Sequence, residues 1–194
     1  MKKKIYTYFA KKFAAFYIAY LEPAIQSHVL NIQKKNFKYL GNNVVFKGGG
    51  EVFHEENIEI FDNVQIGRNY FLMGIGGIEI GEGTIISRNV CLHSGNHNYK
   101  SNDLIPYDNI YDKRKIIIGK GVWIGQNVSV LPGIIIGDGA IIGMNVCVSK
   151  NVMPGEILVG AENRILDTKR DMEIFNKLLS EEKFFNKEYS QILK

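Results

Sequence analysis

From Ile116 to Val148 the chain repeats a unit of six residues. Every sixth position from Ile118 is aliphatic (Ile118, Ile124, Val130, Ile136, Ile142, Val148), and two places before each stands Ile116, Val122, Val128, Ile134, Ala140 or Val146. Gly119, Gly125, Gly137 and Gly143 follow four of these sixth positions. A period of six is neither helical nor that of a plain strand, although it contains two-residue spacing. Positions two apart face one way in a short strand. The remaining GKG, GQN, GDG and GMN are turn formers whose Gly and Asn tolerate positive φ. Each unit is therefore a short strand followed by a bend. Three bends close a triangle of about 18 residues, and triangles stack about 4.8 Å apart. The predicted fold is an all-β solenoid, a parallel β-helix filled by the one-in-six aliphatics. A slip of one residue would turn them outward, so the register is strongly specified.

The pattern extends upstream through Ile58–Ile60, Val64–Ile66 and Tyr70–Leu72, shifts by two residues near Gly74–Gly77, and resumes at Ile78–Ile80, Thr84–Ile86 and Val90–Leu92. Val52 opens a ragged first unit and Val152–Pro154 closes the last. About fourteen sextets make somewhat under five coils, more than the roughly three repeats a solenoid needs. A β-sandwich would instead show turn signals about every 8–12 residues. The solenoid is assigned to residues 44–166, between an N-terminal helical region, 1–43, and a C-terminal helical tail, 167–194. In the tail Met172, Phe175 and Leu179 form one stripe, which predicts packing on the last coil or on a neighbouring subunit.

Two readings suit the aromatic N-terminal region. Its helices cap the open end of the solenoid or pack in an oligomer, which is the preferred expectation because exposed edge strands are a liability. Alternatively an amphipathic helix rests on the inner membrane, with Lys2, Lys3 and Lys4 near anionic lipid. The uncharged run Phe13–Leu21 is too short to span a bilayer. A net charge of +4 on 194 residues, without a dense basic tract, does not imply nucleic acid and accommodates a small anionic cofactor. Cys91 and Cys147 sit just before inward positions and should point outward. They offer no disulfide framework, and a reduced, cytoplasmic setting is expected.

The repeat has one long interruption, Asn96–Lys115, polar and interleaved with Tyr99, Tyr107 and Tyr111. A solenoid can extrude such a segment at a corner, and insertions often mark the binding face. Continuing the count makes Asn96 and Asn98 inward and His97 outward, on rigid wall beside a loop. A histidine there suits a general base.

These residues carry a resemblance. The Gly-containing sextets, Asn96-His97-Asn98, the extruded loop, Val122-Trp123-Ile124-Gly125, Leu131-Pro132-Gly133 and Val159-Gly160-Ala161-Glu162-Asn163-Arg164 resemble the hexapeptide-repeat acyltransferases over roughly residues 44 to 168. Within these the chain is most similar to the sugar O-acetyltransferases, which include galactoside, maltose, capsule and lipopolysaccharide enzymes. The resemblance implies a left-handed coil, a homotrimer and acetyl-CoA in the groove between neighbouring β-helices. It makes His97 the catalytic base and Trp123 a wall of the acceptor or thioester end. It places Gly125, Gly143 and Met144 along the pantetheine arm, Ser149 and Lys150 near the nucleotide, and Arg164 on the CoA phosphates. Asn96, Tyr99 and Asp103 become candidates for the sugar acceptor. Met73 stands where galactoside enzymes carry an Asn, which leaves the oxyanion donor unassigned.

The expected chemistry is direct acetyl transfer to a hydroxyl, with no metal. Cys91, near His93, is the only candidate for a covalent route. His93 is expected in a turn or a supporting role, and Asp103 or Asp108 could orient His97 or contact a sugar hydroxyl. Two rivals remain. Ser94-Gly95-Asn96-His97 is also reminiscent of streptogramin-type antibiotic acetyltransferases. A γ-carbonic-anhydrase-like zinc site would need His54, His93 and His97 to converge, but His54 falls at an inward phase.

Overall fold

A computed structural model describes residues 2–21, 24–25, 36–100, 106–160, 164–165 and 171–183, with the backbone alone for 2–6 and 164. The chain is a left-handed parallel β-helix with a helix at each end. Its first face stacks Tyr39–Leu40, Ile58–Ile60, Ile78–Ile80, Ile116–Ile118 and Ile135–Ile136. The second stacks Val45–Phe46, Gln65–Ile66, Ile85–Ile86, Trp123–Ile124, Ile141–Ile142 and Ile157–Val159. The third stacks Glu51–Phe53, Phe71–Met73, Cys91–His93, Ser129–Val130 and Cys147–Val148. These make five complete coils, and the Ile136↔Val152 bridge with Ile157–Val159 begins a sixth. The sequence count of under five missed the opening rung, where Lys38 stands in register with Ile58 and Lys47 in register with Gly67. Arg164–Ile165 then turns back, pairing antiparallel as Leu158↔Ile165 and Val159↔Arg164.

The register explains the sextet phase. Gln65 pairs Ile85, and Trp123 pairs Ile141 eighteen residues on, but the first coils are two residues longer. The extra residues form 3-10 turns at Glu55–Asn57 and Gly74–Gly76 on the corner between the third and first faces. The sequence displayed the second turn and concealed the first. His54 consequently is not inward: it is exposed at φ 57° before the first turn, with Nδ1 3.2 Å from Glu56 Oε1.

Both apolar positions of each sextet fill the prism; Ile60, Leu72, Ile80, Ile118, Ile124 and Val148 are fully buried. Corners are closed by residues at positive φ. On the second–third corner Asn69, Asn89, Asn127 and Asn145 stack, each Nδ2 donating to the next Oδ1 at 3.2, 2.9 and 2.8 Å. On the first–second corner Gly83, Gly121 and Gly139 replace Asn. Helix α2, Met172–Ser180, explains the change: Phe175, 9% exposed, lies on Gly121 and Gly139, where an added Cβ would meet its ring at 2.8 and 3.1 Å. Asp171 caps this helix through Glu173 N and Ile174 N.

Helix α1, Lys2–Phe16, continues as a π-helical turn, Tyr17–Leu21. It does not cap the coil within one chain, because every side chain from Thr7 to Leu21 is exposed. Phe37, buried and 6.2 Å from Phe46, closes that end together with Tyr70. No described helix is long and apolar enough to cross a membrane.

Candidate active site

The chain leaves the wall at Ser94, a fully buried polar residue in the core. Its Oγ donates to Met73 O (2.6 Å) and accepts from Gly76 N (2.9 Å), while its carbonyl accepts from Arg114 N (2.8 Å). Both ends of the insertion are thus tied to one point. Beyond it Gly95–His97 pairs antiparallel with Tyr111–Lys113, opposing Asn96 to Asp112 and His97 to Tyr111. His97 therefore stands on an extruded hairpin. Asn96 is exposed rather than inward and Asn98 is half-buried, because the hairpin breaks the sextet phase two residues before the count assumed.

The His97 ring stacks on Tyr107 (centroids 3.8 Å, 16° between planes) and lies 4.5 Å from Tyr111. Its Nδ1 is buried with no partner among the described residues. Asp108 ties the neck of the loop, accepting from Asn98 Nδ2 (2.7 Å) and Ile110 N (2.8 Å). Tyr99 is exposed, with the Lys100 ammonium 5.7 Å from its ring centroid; Asp103 lies outside the described residues. His93 is a strand residue of the third face rather than a turn residue. It stacks on Phe71, and its Nδ1 contacts Gly95 O at the hairpin base.

A second feature occupies the second face. Trp123, 52% exposed, projects between Ile85 and Ile141 and forms a wall common to two grooves. One, of about 460 Å³, runs beneath α2 between Ile85, Ile174 and Leu178. The other, of about 700 Å³, brings Trp123, Gly125, Gly143 and Met144 together. Ser149 and Lys150 are exposed on the third–first corner, the corner that carries the hairpin. Arg164 lies in the reversed strand, and its side chain is outside those described. In a triangular coil the second face is opposite the third–first corner. One chain therefore separates His97 from the groove that holds Trp123, Gly125, Gly143 and Met144.

Residues 115–150 match the family described as bacterial transferase hexapeptide, six repeats. The match falls within the coil, on the run of sextets from Ile116 to Val148. WbbJ of Escherichia coli (strain K12), provisionally named as a lipopolysaccharide biosynthesis O-acetyl transferase, is 32% identical over 93 residues. That match covers 44% of each chain, so the present chain spans less than half the length of this relative. A maltose O-acetyltransferase from Clostridium difficile 630 superposes with a TM-score of 0.64 at 25% identity, over 73% of this chain and 74% of its own. A galactoside acetyltransferase in complex with coenzyme A gives 0.61 at 27%, over 74% and 71%.

Several side chains of this hexapeptide coil escaped sequence reasoning. Lys47, Gln65, Arg68 and Arg88 line the 700 Å³ groove with Trp123. Their signal was a twenty-residue spacing between Arg68 and Arg88, hidden while the coil length was taken as eighteen. Among the described residues of one chain, no group of three His, Cys, Asp or Glu could hold an ion.

Proposed function

We propose that the protein is an acetyl-CoA-dependent O-acetyltransferase acting on a hydroxyl of a sugar or surface-polysaccharide precursor. The observation that carries this is His97, held between two tyrosines on the single extrusion of a hexapeptide coil, with Nδ1 sealed away. Neutral His97 takes the acceptor proton through Nε2 while the oxygen attacks the thioester carbonyl. The C–S bond then breaks, and the departing sulfur receives the proton from the imidazolium. General-base assistance of this kind contributes about 10²–10⁴-fold, and alignment of acceptor with thioester adds further. Cys91 is a poor covalent nucleophile, since burial and the neighbouring Cys147 raise its thiol above the ordinary range. The acceptor class is supported by the likeness to WbbJ and the maltose enzyme.

In this reading acetyl-CoA lies along Gly125, Gly143 and Met144 on one copy, and His97 comes from the next, as a homotrimer would arrange. Thiol release with acetyl-CoA and a panel of sugars and sugar nucleotides is the test. His97→Ala should lose at least about 100-fold at saturating acceptor; near-wild-type turnover would overturn the role.

Helix α1 gives the proposed enzyme a place to work, at the face of an anionic membrane. Residues 1–21 hold Lys2, Lys3, Lys4, Lys11 and Lys12 and no carboxylate side chain, while Phe9, Phe13, Phe16 and Tyr20 are exposed along one stripe. The full chain should float with anionic vesicles and a chain lacking residues 2–21 should not; equal behaviour of the two defeats this placement.

A further inference from the structure

The 700 Å³ groove has two chemically different halves. Toward the later coils it is lined by Gly125, Gly143 and Met144, which carry no charge. Toward the first coils it is lined by Lys47, Arg68 and Arg88. Register places Arg68 two residues after Ile66 and Arg88 two residues after Ile86, and Ile66 and Ile86 are paired. The two guanidiniums therefore leave the same corner one rung apart, about 4.8 Å in backbone spacing.

Nothing among the described residues neutralises this column. No carboxylate lines the groove, and no ion pair among the described residues engages Lys47, Arg68 or Arg88. Elsewhere the chain treats stacked charge differently: Lys115 bridges the stacked Glu59 and Glu79, and Lys38 pairs with Glu59. Arg88 is also fixed in direction, because its Nε donates to Gln126 Oε1 at 3.0 Å. Gln65, in the same groove, has its Oε1 buried without a partner. A buried acceptor left unpaired is costly, and a ligand hydroxyl would satisfy it.

Stacked like charges beside an orphan acceptor define a ligand with a compact multivalent anion joined to a hydroxylated ring. We propose that this half of the groove binds a diphosphate-linked sugar, the form in which the acceptor is presented. Lys47, Arg68 and Arg88 engage the diphosphate, for which bidentate guanidinium contacts are well shaped, and Gln65 Oε1 accepts from a sugar hydroxyl. The assignment of the ligand as acceptor rests on the acetyltransferase reading; the anion site itself does not. The diphosphate could be esterified to a nucleoside or to a prenyl lipid, and both present the same group to these cations.

Calorimetry on the full chain separates the alternatives. Inorganic pyrophosphate should bind the wild type and lose at least tenfold in affinity in Arg68→Ala/Arg88→Ala, a variant whose exposed positions preserve the fold and whose melting curve verifies it. CoA affinity should stay within twofold. UDP-glucose and farnesyl-diphosphate-linked glucose, tested in separate arms, should compete with pyrophosphate, and the stronger competitor identifies the natural linkage. Three results overturn the proposal: no pyrophosphate binding, equal binding in the double variant, or parallel loss of pyrophosphate and CoA, which would make the cations a cradle for the donor. Pyrophosphate binding that neither glycosyl diphosphate displaces rejects the acceptor assignment. Failure of the functional reading has a different signature, pyrophosphate binding without CoA binding or thiol release.

Discussion

The rings of His97 and Tyr107 lie face to face, 3.8 Å between centroids and 16° from parallel, across the two arms of one extruded loop. Stacking holds the imidazole where hydrogen bonding does not. Such contacts are worth about 0.5–1.5 kcal/mol, enough to set orientation. Tyr107→Leu should lower kcat about tenfold with little change in the KM for acetyl-CoA, and Tyr107→Phe should retain most activity. A loss confined to KM would show that Tyr107 binds substrate instead of positioning the base.

His97 and the Trp123 groove stand on opposite sides of the prism, so complementation between copies is expected. His97→Ala and the exposed Met144→Glu should each be inactive alone. In the proposed trimer, equal amounts refolded together should regain up to about a quarter of wild-type activity, the fraction of interfaces that random mixing leaves intact. No recovery would mean that each chain carries a whole site.

Asn127 stands at φ 59°, accepting from Asn89 and donating to Asn145. Asn127→Ala should destabilise by about 2 kcal/mol, through left-handed backbone strain plus the broken ladder. Asn127→Gly removes the strain and should cost about half as much in urea titration. Equal losses would show that the ladder, and not the backbone, dominates.

Lys115 Nζ lies 2.6 Å from Glu79 and 3.5 Å from Glu59, and these carboxylates are directly paired across adjacent rungs. Its hydrogen bond to Glu79 raises the ammonium pKa above the ordinary lysine range. A raised folded-state value means this contribution is intact below the unfolded pKa of about 10.4 and is lost as pH climbs through the folded one. Lys115→Met should lower the melting temperature at pH 7 by leaving like charges opposed. The deficit should hold through neutral pH and shrink as pH climbs through the raised ammonium pKa, where the wild-type Lys115 also loses its charge; a deficit independent of pH would point to lost packing alone.

Phe175→Ala should release α2 from its glycine column, costing about 3 kcal/mol locally. Gly139→Ala, at φ 67° and in the path of the same ring, should act alike. Amide exchange of residues 172–180 should accelerate in both variants while the coil keeps its protection. A uniform rise across the coil would mean that the helix is integral to the core.

The coil was legible in the sequence because one aliphatic in six has only one way to be buried. What hid was written without hexads. The first rung opens on Lys38 where the next coils carry Ile58 and Ile78, and the turn at Glu55–Asn57 adds two residues that no local composition announces. That single insertion misplaced His54. The hairpin did the same to Asn96, since antiparallel pairing at Gly95 replaces the parallel phase at a residue that looks like any other turn former. The candidate groove residues Gly125, Gly143 and Met144 were visible through their motifs, whereas Arg68 and Arg88 emerge only once coils are aligned at their true length.

The reversed strand Arg164–Ile165 has a consequence for assembly. A parallel rung arriving at the far end would meet hydrogen-bonding groups already spent on a partner running the other way, and at the near end it would meet the ring of Phe37. On the second face, end-to-end stacking of another coil is therefore blocked by a strand of the wrong direction.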